Sequence, residues 1–236
     1  MDLGLSGRVA VVTAASKGLG RATALALAAE GVKVVLNARN AAALDELADT
    51  LDDAVVLAGD ISDPSLPARL VDTAVEHWGR VDIVIGNAGG PPSGRALDVT
   101  DEQILAAVNA NMLASVRLAR AAVPHMQRQQ WGRVVFIASA SVKQPIGDLA
   151  LSNMARTALW AWTKTAAQDL AEQGITVNLA APGLHATDRL LERGVTGRTG
   201  HPEDFGQVVA FLCSEQARFI NGIALGVDGG AVTGLL

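Results

Sequence analysis

The residues from Thr13 to Gly20 form a glycine-containing loop that could bind a phosphate group. They read TAASKGLG and lie between a short β-rich run and a helical pattern, the context in which glycine spacing is informative. Without a Cβ at Gly18 and Gly20, the backbone can approach an anion closely, and the following helix offers free N–H groups and a positive dipole end. The loop therefore indicates a dinucleotide site, with an ordinary strand-to-helix turn as the alternative.

The end of the second predicted strand indicates which dinucleotide the loop would bind. A dinucleotide-binding chain carries, about 20 residues after the glycines, either an acid for the free ribose 2′-hydroxyl or an arginine for a 2′-phosphate. Here the position is Arg39, and no Asp or Glu occurs between Gly31 and Leu44. Lys17 adds a second cation within the loop. We therefore favour NADP over NAD, with a solvated surface arginine as the alternative for Arg39.

Two further loops follow predicted strands and would meet at the same edge of the sheet. Asp60 and Ile61 come after the third strand and could hold the adenine, unless Asp60 only caps a helix. Asn87, Ala88 and Gly89 come after the fourth strand, where small residues allow backbone contact with a cofactor. Ligands of open α/β sheets bind outside the carboxyl ends of the strands, so both loops belong to the predicted site.

Short apolar runs alternate with longer helical patterns along the whole chain. This alternation predicts parallel strands with right-handed crossovers, and strands that are apolar throughout predict helices on both faces of the sheet. We therefore predict an α/β fold, a single doubly wound Rossmann domain over residues 1–236 with a sheet of about seven strands. The predicted strands are 8–13, 32–38, 54–58, 81–86, 132–139, 175–180 and 223–227, and the predicted helices are 18–30, 40–51, 63–78, 100–129, 149–172 and 202–215.

Composition excludes several classes of protein. Of the 236 residues, 50% are hydrophobic and 18% are charged, which excludes a disordered chain. No apolar run approaches the roughly 18 residues that a membrane span requires. A single cysteine excludes an internal disulfide and a cysteine-cluster metal site, and we predict no metal. The net charge of −5 argues against nucleic acid or an anionic membrane as partner, so we expect a cytoplasmic protein that binds small molecules.

The chain resembles the short-chain dehydrogenases/reductases, in particular the 3-oxoacyl-acyl-carrier-protein reductase type, over essentially its whole length. The family's Thr-Gly-x-x-x-Gly-x-Gly resembles residues 13–20, its Asn-Asn-Ala-Gly resembles 86–89, and its Pro-Gly-x-x-x-Thr resembles 182–187. Residues 175–178 and 227–230 are also typical of the family. Together with the loops above, the resemblance implies NADP bound by Thr13, Ala15, Ser16, Lys17, Gly18, Leu19, Gly20, Arg39, Asp60, Ile61, Asn87, Ala88, Gly89, Pro182, Gly183 and Thr187.

The resemblance also implies an activity and an assembly. Family members transfer a hydride between nicotinamide and a carbonyl or alcohol substrate, which here could be a 3-oxoacyl thioester or another ketone. The family's catalytic asparagine corresponds to Asn111, and its catalytic serine corresponds to Ser139. Family members commonly form tetramers through the helices after the fourth and fifth strands, so we expect a homotetramer or a homodimer.

The chain departs from the family at the catalytic tyrosine and lysine, which are replaced by Ser152 and Arg156. The chain contains no tyrosine at all, so no phenol can donate a proton. A serine hydroxyl is a far weaker acid than a phenol, and an arginine stays protonated. We expect Asn111, Ser139, Ser152 and Arg156 to form the catalytic site, with the last three stabilising an oxyanion; the alternative is that Ser152 and Arg156 only share a helix face and take no part in chemistry. The proton would come from water or from a loop residue, for which the candidates are Asp148, Lys143 and His185.

The replaced tyrosine and lysine leave two other functions open. The chain could instead be a catalytically impaired dinucleotide-binding sensor or partner subunit, or a non-redox enzyme on the same scaffold.

The chain also departs from the family in the phosphate loop and in the segment before the last helix. Ala14 replaces the first glycine of the phosphate loop, at a cost of about 1 kcal/mol if its φ must be positive. Only residues 188–200 follow the Pro-Gly-x-x-x-Thr segment before the last helix, which predicts a short substrate lid that admits water.

Overall fold

The computed structural model describes residues 2–192 and 197–234. Within these ranges seven strands form one sheet in the order β3-β2-β1-β4-β5-β6-β7, and every pairing is parallel. The structure confirms the predicted doubly wound α/β fold. The strands are β1 (Val9–Val12), β2 (Lys33–Leu36), β3 (Ala54–Val56), β4 (Ile83–Gly86), β5 (Gly132–Ile137), β6 (Ile175–Pro182) and β7 (Ala224–Val227).

The helices of the described residues lie close to their predicted positions, and a short one between β6 and the last helix was not predicted. Helix α3 begins later than expected because Asp63 accepts hydrogen bonds from the backbone N–H and hydroxyl of Ser65 instead of entering the helix. The helices are α1 (Gly18–Ala29), α2 (Ala41–Ala48), α3 (Leu66–Trp78), α4 (Asp101–Val108), α5 (Ala114–Gln129), α6 (Ala150–Leu170), α7 (Asp188–Glu192) and α8 (Pro202–Cys213).

The sheet is buried on both faces, which explains its continuously apolar strands. Successive residues of β1 point to opposite faces: Val9 and Val11 join a cluster with α3, α5 and α6, whereas Ala10 and Val12 join a cluster with α1, α2 and α8. No helix of the described residues is long and apolar enough to cross a membrane.

The strand order also places the ligand site. From β1 the chain proceeds to β2 and β3 on one side, and it then returns to β4 on the other side. The topological switch point therefore lies between the carboxyl ends of β1 and β4, where open α/β sheets bind ligands. The loop of residues 13–17 follows β1, and residues 87–100 follow β4.

Candidate functional site

The loop after β1 folds back so closely that one of its positions has no room for a side chain. A Cβ on Gly20 would overlap the Ala14 carbonyl oxygen and lie 2.9 Å from the Asn87 amide nitrogen. Gly18 has φ +59°, and a Cβ there would lie 3.3 Å from the Thr187 side chain. The loop therefore needs glycine at the predicted positions.

The first turn of α1 is prepared for an anion. Its N-cap, Lys17, makes no side-chain hydrogen bond to the turn, and the turn carries no acidic residue. The positive end of the helix dipole and the first N–H groups are therefore not neutralised by a local carboxylate. Lys17 is exposed and Ser16 is half-buried at this end, while Leu19 packs onto the core beneath it.

Ala14 stores backbone strain in the loop, since its φ is +51°. We expect Ala14→Gly to raise the free energy of unfolding by about 0.5 kcal/mol, because relief of the left-handed strain exceeds the entropy that glycine adds to the unfolded chain. Urea denaturation measures the change. The matched control is Ala42→Gly on the exposed side of α2, which should destabilise by about 1 kcal/mol; a loss of stability in both variants would contradict the strain.

Thr13 and Asn87 join the ends of β1 and β4 at the topological switch point. The Thr13 hydroxyl donates to the Asn87 carbonyl at 2.7 Å and accepts from the Asn87 N–H at 2.7 Å. Ala15 is fully buried, and its N–H donates to the Asn37 carbonyl at 2.9 Å. Thr13 is thus held by the loop after β4, and Ala15 is held by the end of β2.

The loops after β2 and β3 are tied together beside an exposed arginine. The Asn37 amide, which sequence reasoning overlooked, donates to the Leu57 carbonyl at 2.9 Å. The N–H and hydroxyl of Ser62 hold the pKa of Asp60 below its ordinary value, with a smaller contribution from the charge of Arg39. Asp60 thus carries a negative charge at neutral pH. Arg39 is exposed to solvent at the position predicted to bind a ribose 2′-phosphate.

Ile61, next to Asp60, is partly buried against the core, and its predicted contact with adenine would have to use its exposed part. Gly89, in the loop after β4, is exposed and has open space around the position of a Cβ. The placement of both residues in the cofactor site stays a prediction.

The segment after β6 passes in front of the phosphate loop. Pro182 ends the strand, and a Cβ on Gly183 would lie 2.7 Å from the Cα of Asp228, so the chain approaches β7 too closely for a side chain. The Thr187 side chain then lies 3.3 Å from the place that a Cβ on Gly18 would occupy. The Asp228 carboxylate accepts hydrogen bonds from the N–H groups of Gly230 and Val232. These bonds fix the turn after β7, which Gly183 approaches.

Arg156 is the centre of the predicted catalytic site and is 7% exposed. One terminal nitrogen, Nη1, donates to the carbonyls of Ile137 at 2.9 Å and Ala138 at 2.8 Å. The other, Nη2, donates to the Asn111 Oδ1 at 3.3 Å and the Ala88 carbonyl at 3.5 Å. The guanidinium therefore joins the carboxyl ends of β4 and β5 to the helix that carries Asn111, and these contacts account for its four Nη hydrogens.

Asn111 reaches Arg156 because the helix around it is not regular. Residues Asn109–Leu113 form a π turn between α4 and α5, and such turns occur often at functional sites. Asn111 is 4% exposed. Its neighbour Asn109 binds the Ser62 carbonyl at 2.9 Å and so ties the same turn to the loop after β3. Sequence reasoning expected one uninterrupted helix here and missed Asn109.

The two serines differ in their surroundings. The Ser139 hydroxyl oxygen accepts from the Ser141 N–H at 3.1 Å, which leaves its hydrogen able to donate to a ligand. Ser152 lies one turn before Arg156 on α6 and is 7% exposed. Its hydroxyl makes no hydrogen bond with the residues that the structure describes. Both hydroxyls can stabilise a negative oxygen, but neither is an acid at neutral pH.

The three candidate proton donors lie in different surroundings, and Asp148 would be one turn before Ser152 only if the helix had already begun there. Helix α6 begins at Ala150, so the exposed Asp148 precedes the helix and is not one turn before Ser152. His185 is 6% exposed and packs edge-on against Phe205 at 5.3 Å between ring centroids. Lys143 is half-buried beyond the turn that Ser139 begins. His185 therefore supports the loop after β6 with its ring.

The lid is short in the described part of the chain. It contains α7, and Gly200 pairs with His185 where the chain returns to the core. Within the predicted lid, residues 193–196 lie outside the described residues.

The chain is similar to known proteins over nearly its whole length. A family model described as Enoyl-(Acyl carrier protein) reductase matches residues 13–232. Versicolorin reductase stcU of Emericella nidulans is 35% identical over 257 aligned residues, which cover 96% of this chain and 96% of that protein. Dehydrogenase/reductase SDR family member 4 of Homo sapiens is 35% identical over 244 residues, covering 96% of this chain and 88% of that protein.

Solved structures match the whole fold. L-sorbose reductase from Gluconobacter frateurii, complexed with NADPH and L-sorbose, superposes with a TM-score of 0.95 at 31% identity and covers 100% of both chains. YwfH, an NADPH-dependent reductase involved in bacilysin biosynthesis, superposes with a TM-score of 0.93 at 28% identity and covers 98% of this chain and 100% of its own.

Proposed function

Because the chain belongs to the short-chain dehydrogenase/reductase family, we propose that it is an NADPH-dependent oxidoreductase that acts on a carbonyl or alcohol substrate. The observation that carries the proposal is the loop after β1, where Gly20 has no space for a Cβ and α1 presents an uncapped first turn. A dinucleotide pyrophosphate fits this cradle. The structural neighbours named above also bind or use NADPH.

A phosphorylated nicotinamide dinucleotide would contact the described residues in three places. Ser16 to Gly20 would bind the pyrophosphate, Lys17 and Arg39 would bind the ribose 2′-phosphate, and residues 87–89 and 182–187 would bind the nicotinamide half. The bound cofactor would supply or accept the hydride. The protein's own task is then to place a substrate oxygen and to stabilise the charge that develops on it.

Asn111, Ser139, Ser152 and Arg156 would perform that task. Ser139 and Ser152 would donate hydrogen bonds to the substrate oxygen. Arg156 would contribute a permanent positive charge below them while holding Asn111 and the end of β5 in place. An arginine cannot pass on a proton at physiological pH, so the proton would reach the substrate from water through the mouth of the site.

Arg39 would select NADPH over NADH. We expect Arg39→Ala to weaken NADPH binding about 10- to 100-fold and to leave NADH binding nearly unchanged, because a charge-assisted hydrogen bond to phosphate contributes about 1.5–3 kcal/mol. Fluorescence titration with both nucleotides measures the ratio. Arg69→Ala, an exposed arginine on α3, is the control; equal losses for NADPH and NADH in the Arg39 variant would contradict the assignment.

The proposal is tested by binding first and turnover second. NADPH titration of the purified protein should show saturable binding, and a panel of ketones and 3-oxoacyl thioesters should include a compound that oxidises NADPH. Ser139→Ala should bind NADPH equally well and lose most of the turnover. Absence of affinity for both pyridine nucleotides would overturn the proposed function.

One observation favours a second candidate, a dinucleotide-binding sensor or partner subunit without turnover. The Nη hydrogens of Arg156 are bound by protein acceptors. An arginine bound in this way can stabilise the fold without taking part in catalysis. Tight NADPH binding without oxidation by any carbonyl or activated alkene, and with no effect of Ser139→Ala, would favour this candidate.

We also propose self-association through α4, α5 and α6, as the family resemblance implies. Leu105 on α4 is 68% exposed and Met154 on α6 is 40% exposed, and large exposed apolar side chains on neighbouring helices suit a contact between copies. Light scattering of the purified protein should give the mass of a tetramer or a dimer; a monomer at micromolar concentration would contradict it.

A further inference from the structure

We propose that Asn109 is a positioning residue for the candidate catalytic site, because it holds the π turn that presents Asn111 to Arg156. The inference rests on the proposed function and deepens it, since it names the residue on which the placement of Asn111 depends. It follows from the hydrogen bonds of the Asn109 side chain and from the geometry of the turn in which this residue lies.

The π turn sets the direction in which Asn111 points. The N–H of Ala114 donates to the carbonyl of Asn109, five residues earlier, so the turn contains one residue more than an α-helical turn. One residue corresponds to a rotation of about 100° around a helix axis. Helix α5 buries Leu118 and Ala122 in the core, which fixes its rotation. The direction of Asn111 relative to that buried face therefore depends on the extra residue of the turn.

The side chain of Asn109 holds this turn from two sides. Its Nδ2 donates to the Ser62 carbonyl at 2.9 Å, in the loop after β3. Its Oδ1 accepts from Arg117 Nη1 at 2.7 Å, and Arg117 lies in the first turn of α5. Asn109 therefore joins the first residue of the π turn to a neighbouring loop and to the helix beyond the turn. Because π turns are rare, we infer that these two bonds stabilise this one against a regular α-helix.

Arg156 is the residue that depends on the direction of Asn111. Asn111 is 4% exposed, and its Oδ1 accepts from Arg156 Nη2 at 3.3 Å. The same nitrogen donates to the Ala88 carbonyl at a longer distance of 3.5 Å. If Asn111 turns away, the guanidinium loses the shorter of these two contacts. A displacement of about 1 Å at a reacting centre can lower a rate about 100-fold, so Asn109 would act on the site through Asn111.

Ser62 connects the turn to the loop that is predicted to hold the adenine. The N–H and the hydroxyl of Ser62 donate to one carboxylate oxygen of Asp60, at 2.9 and 2.8 Å. Asn109 binds the Ser62 carbonyl, so the two sets of bonds use different atoms of Ser62. Loss of the Asn109 amide should therefore leave the Asp60 loop in place. We expect cofactor affinity and the placement of Arg156 to respond differently to substitution of Asn109.

Hydrogen exchange followed by NMR tests the inference without turnover. Asn109→Ala should raise the exchange rates of the Ala114 N–H and of the Arg156 guanidinium hydrogens by at least about tenfold. Asn221→Ala is the matched control, because the partly buried Asn221 amide likewise donates one hydrogen bond and accepts one, and it should leave both rates unchanged. Unchanged rates in Asn109→Ala would overturn the proposal, and so would equally faster exchange of Arg156 in both variants.

A second variant tests the other bond of Asn109 and does not alter its amide. Arg117→Met removes the donor to the Asn109 Oδ1, and it should raise the exchange rate of the Arg156 guanidinium hydrogens by at least about threefold. Arg120→Met, at an exposed position of α5, is the control and should leave this rate unchanged. Unchanged exchange in Arg117→Met would overturn the proposal even if Asn109→Ala fails to fold.

Turnover of a substrate from the ketone panel gives a third readout. Asn109→Ala should lower kcat about 10- to 100-fold and change the dissociation constant of NADPH by less than about threefold. Asn111→Ala and the double variant Asn109→Ala/Asn111→Ala should have the same kcat, because Asn109 acts through Asn111. Losses that multiply in the double variant would overturn the proposal. Failure of NADPH to bind would overturn the proposed function, whereas the exchange measurements would still decide the role of Asn109.

Discussion

Gly20→Ala is expected to weaken NADPH binding about 100-fold, which corresponds to about 2.7 kcal/mol. The added methyl group would overlap the Ala14 carbonyl oxygen and lie 2.9 Å from the carbonyl carbon of the same residue. Because that oxygen belongs to the backbone, a side-chain rotation cannot relieve the overlap. The loop would have to open, and its N–H groups would then no longer converge on a phosphate.

Isothermal titration calorimetry with NADPH measures this loss, and urea denaturation separates it from unfolding. Gly147→Ala is the matched control, since a Cβ at that position has open space and the backbone is not left-handed. It should change neither affinity nor stability by more than a few tenths of a kcal/mol. Unchanged NADPH affinity in a folded Gly20→Ala protein would show that the cofactor does not bind at this loop.

Arg156→Met is expected to lower the free energy of unfolding by about 3–5 kcal/mol. The substitution leaves the carbonyls of Ala88, Ile137 and Ala138 and the Asn111 amide without their donor. Each buried acceptor that loses its partner costs about 1–3 kcal/mol, although such costs are not additive. Methionine fills most of the volume, so the loss would come mainly from hydrogen bonding and not from a cavity.

Urea denaturation measures the change, with an unchanged slope against denaturant as evidence that the folded state is intact. Arg69→Met on the exposed side of α3 is the control, and it should fall within about 0.5 kcal/mol of the unmodified protein. Arg156→Lys should lie between the two, since an ammonium has three donors on one nitrogen and cannot reach all four acceptors. A loss below 1 kcal/mol in Arg156→Met would refute the structural role of the guanidinium.

Much of the fold could be predicted from the sequence because the apolar patterns are local and unambiguous. Each predicted strand lies within a few residues of an observed one, since β-branched runs flanked by glycine and polar residues have few alternatives. The start of α3 was misplaced because the side chain of Asp63 competes with the helix for local N–H groups, a choice that the spacing of apolar residues does not reveal.

Some features of the candidate site could likewise be predicted from the sequence, and others could not. The glycines of the phosphate loop and the replacement of tyrosine and lysine by Ser152 and Arg156 were visible in the sequence, because they depend on residue type at fixed spacing. The burial of His185 against Phe205 and the position of Asp148 outside α6 were not visible. Those depend on where separate elements pack and where a helix begins.

By itself the sequence determined the alternation of strands and helices, the glycine cradle and the lack of a phenol, since each is a property of residue order or composition. Only the tertiary structure decided what Arg156 does. Its four acceptors come from the ends of β4 and β5 and from the π turn around Asn111, and these segments are far apart in the chain. Hydrogen-bond partners of a buried cation are chosen by the packing of distant elements, which no local pattern encodes.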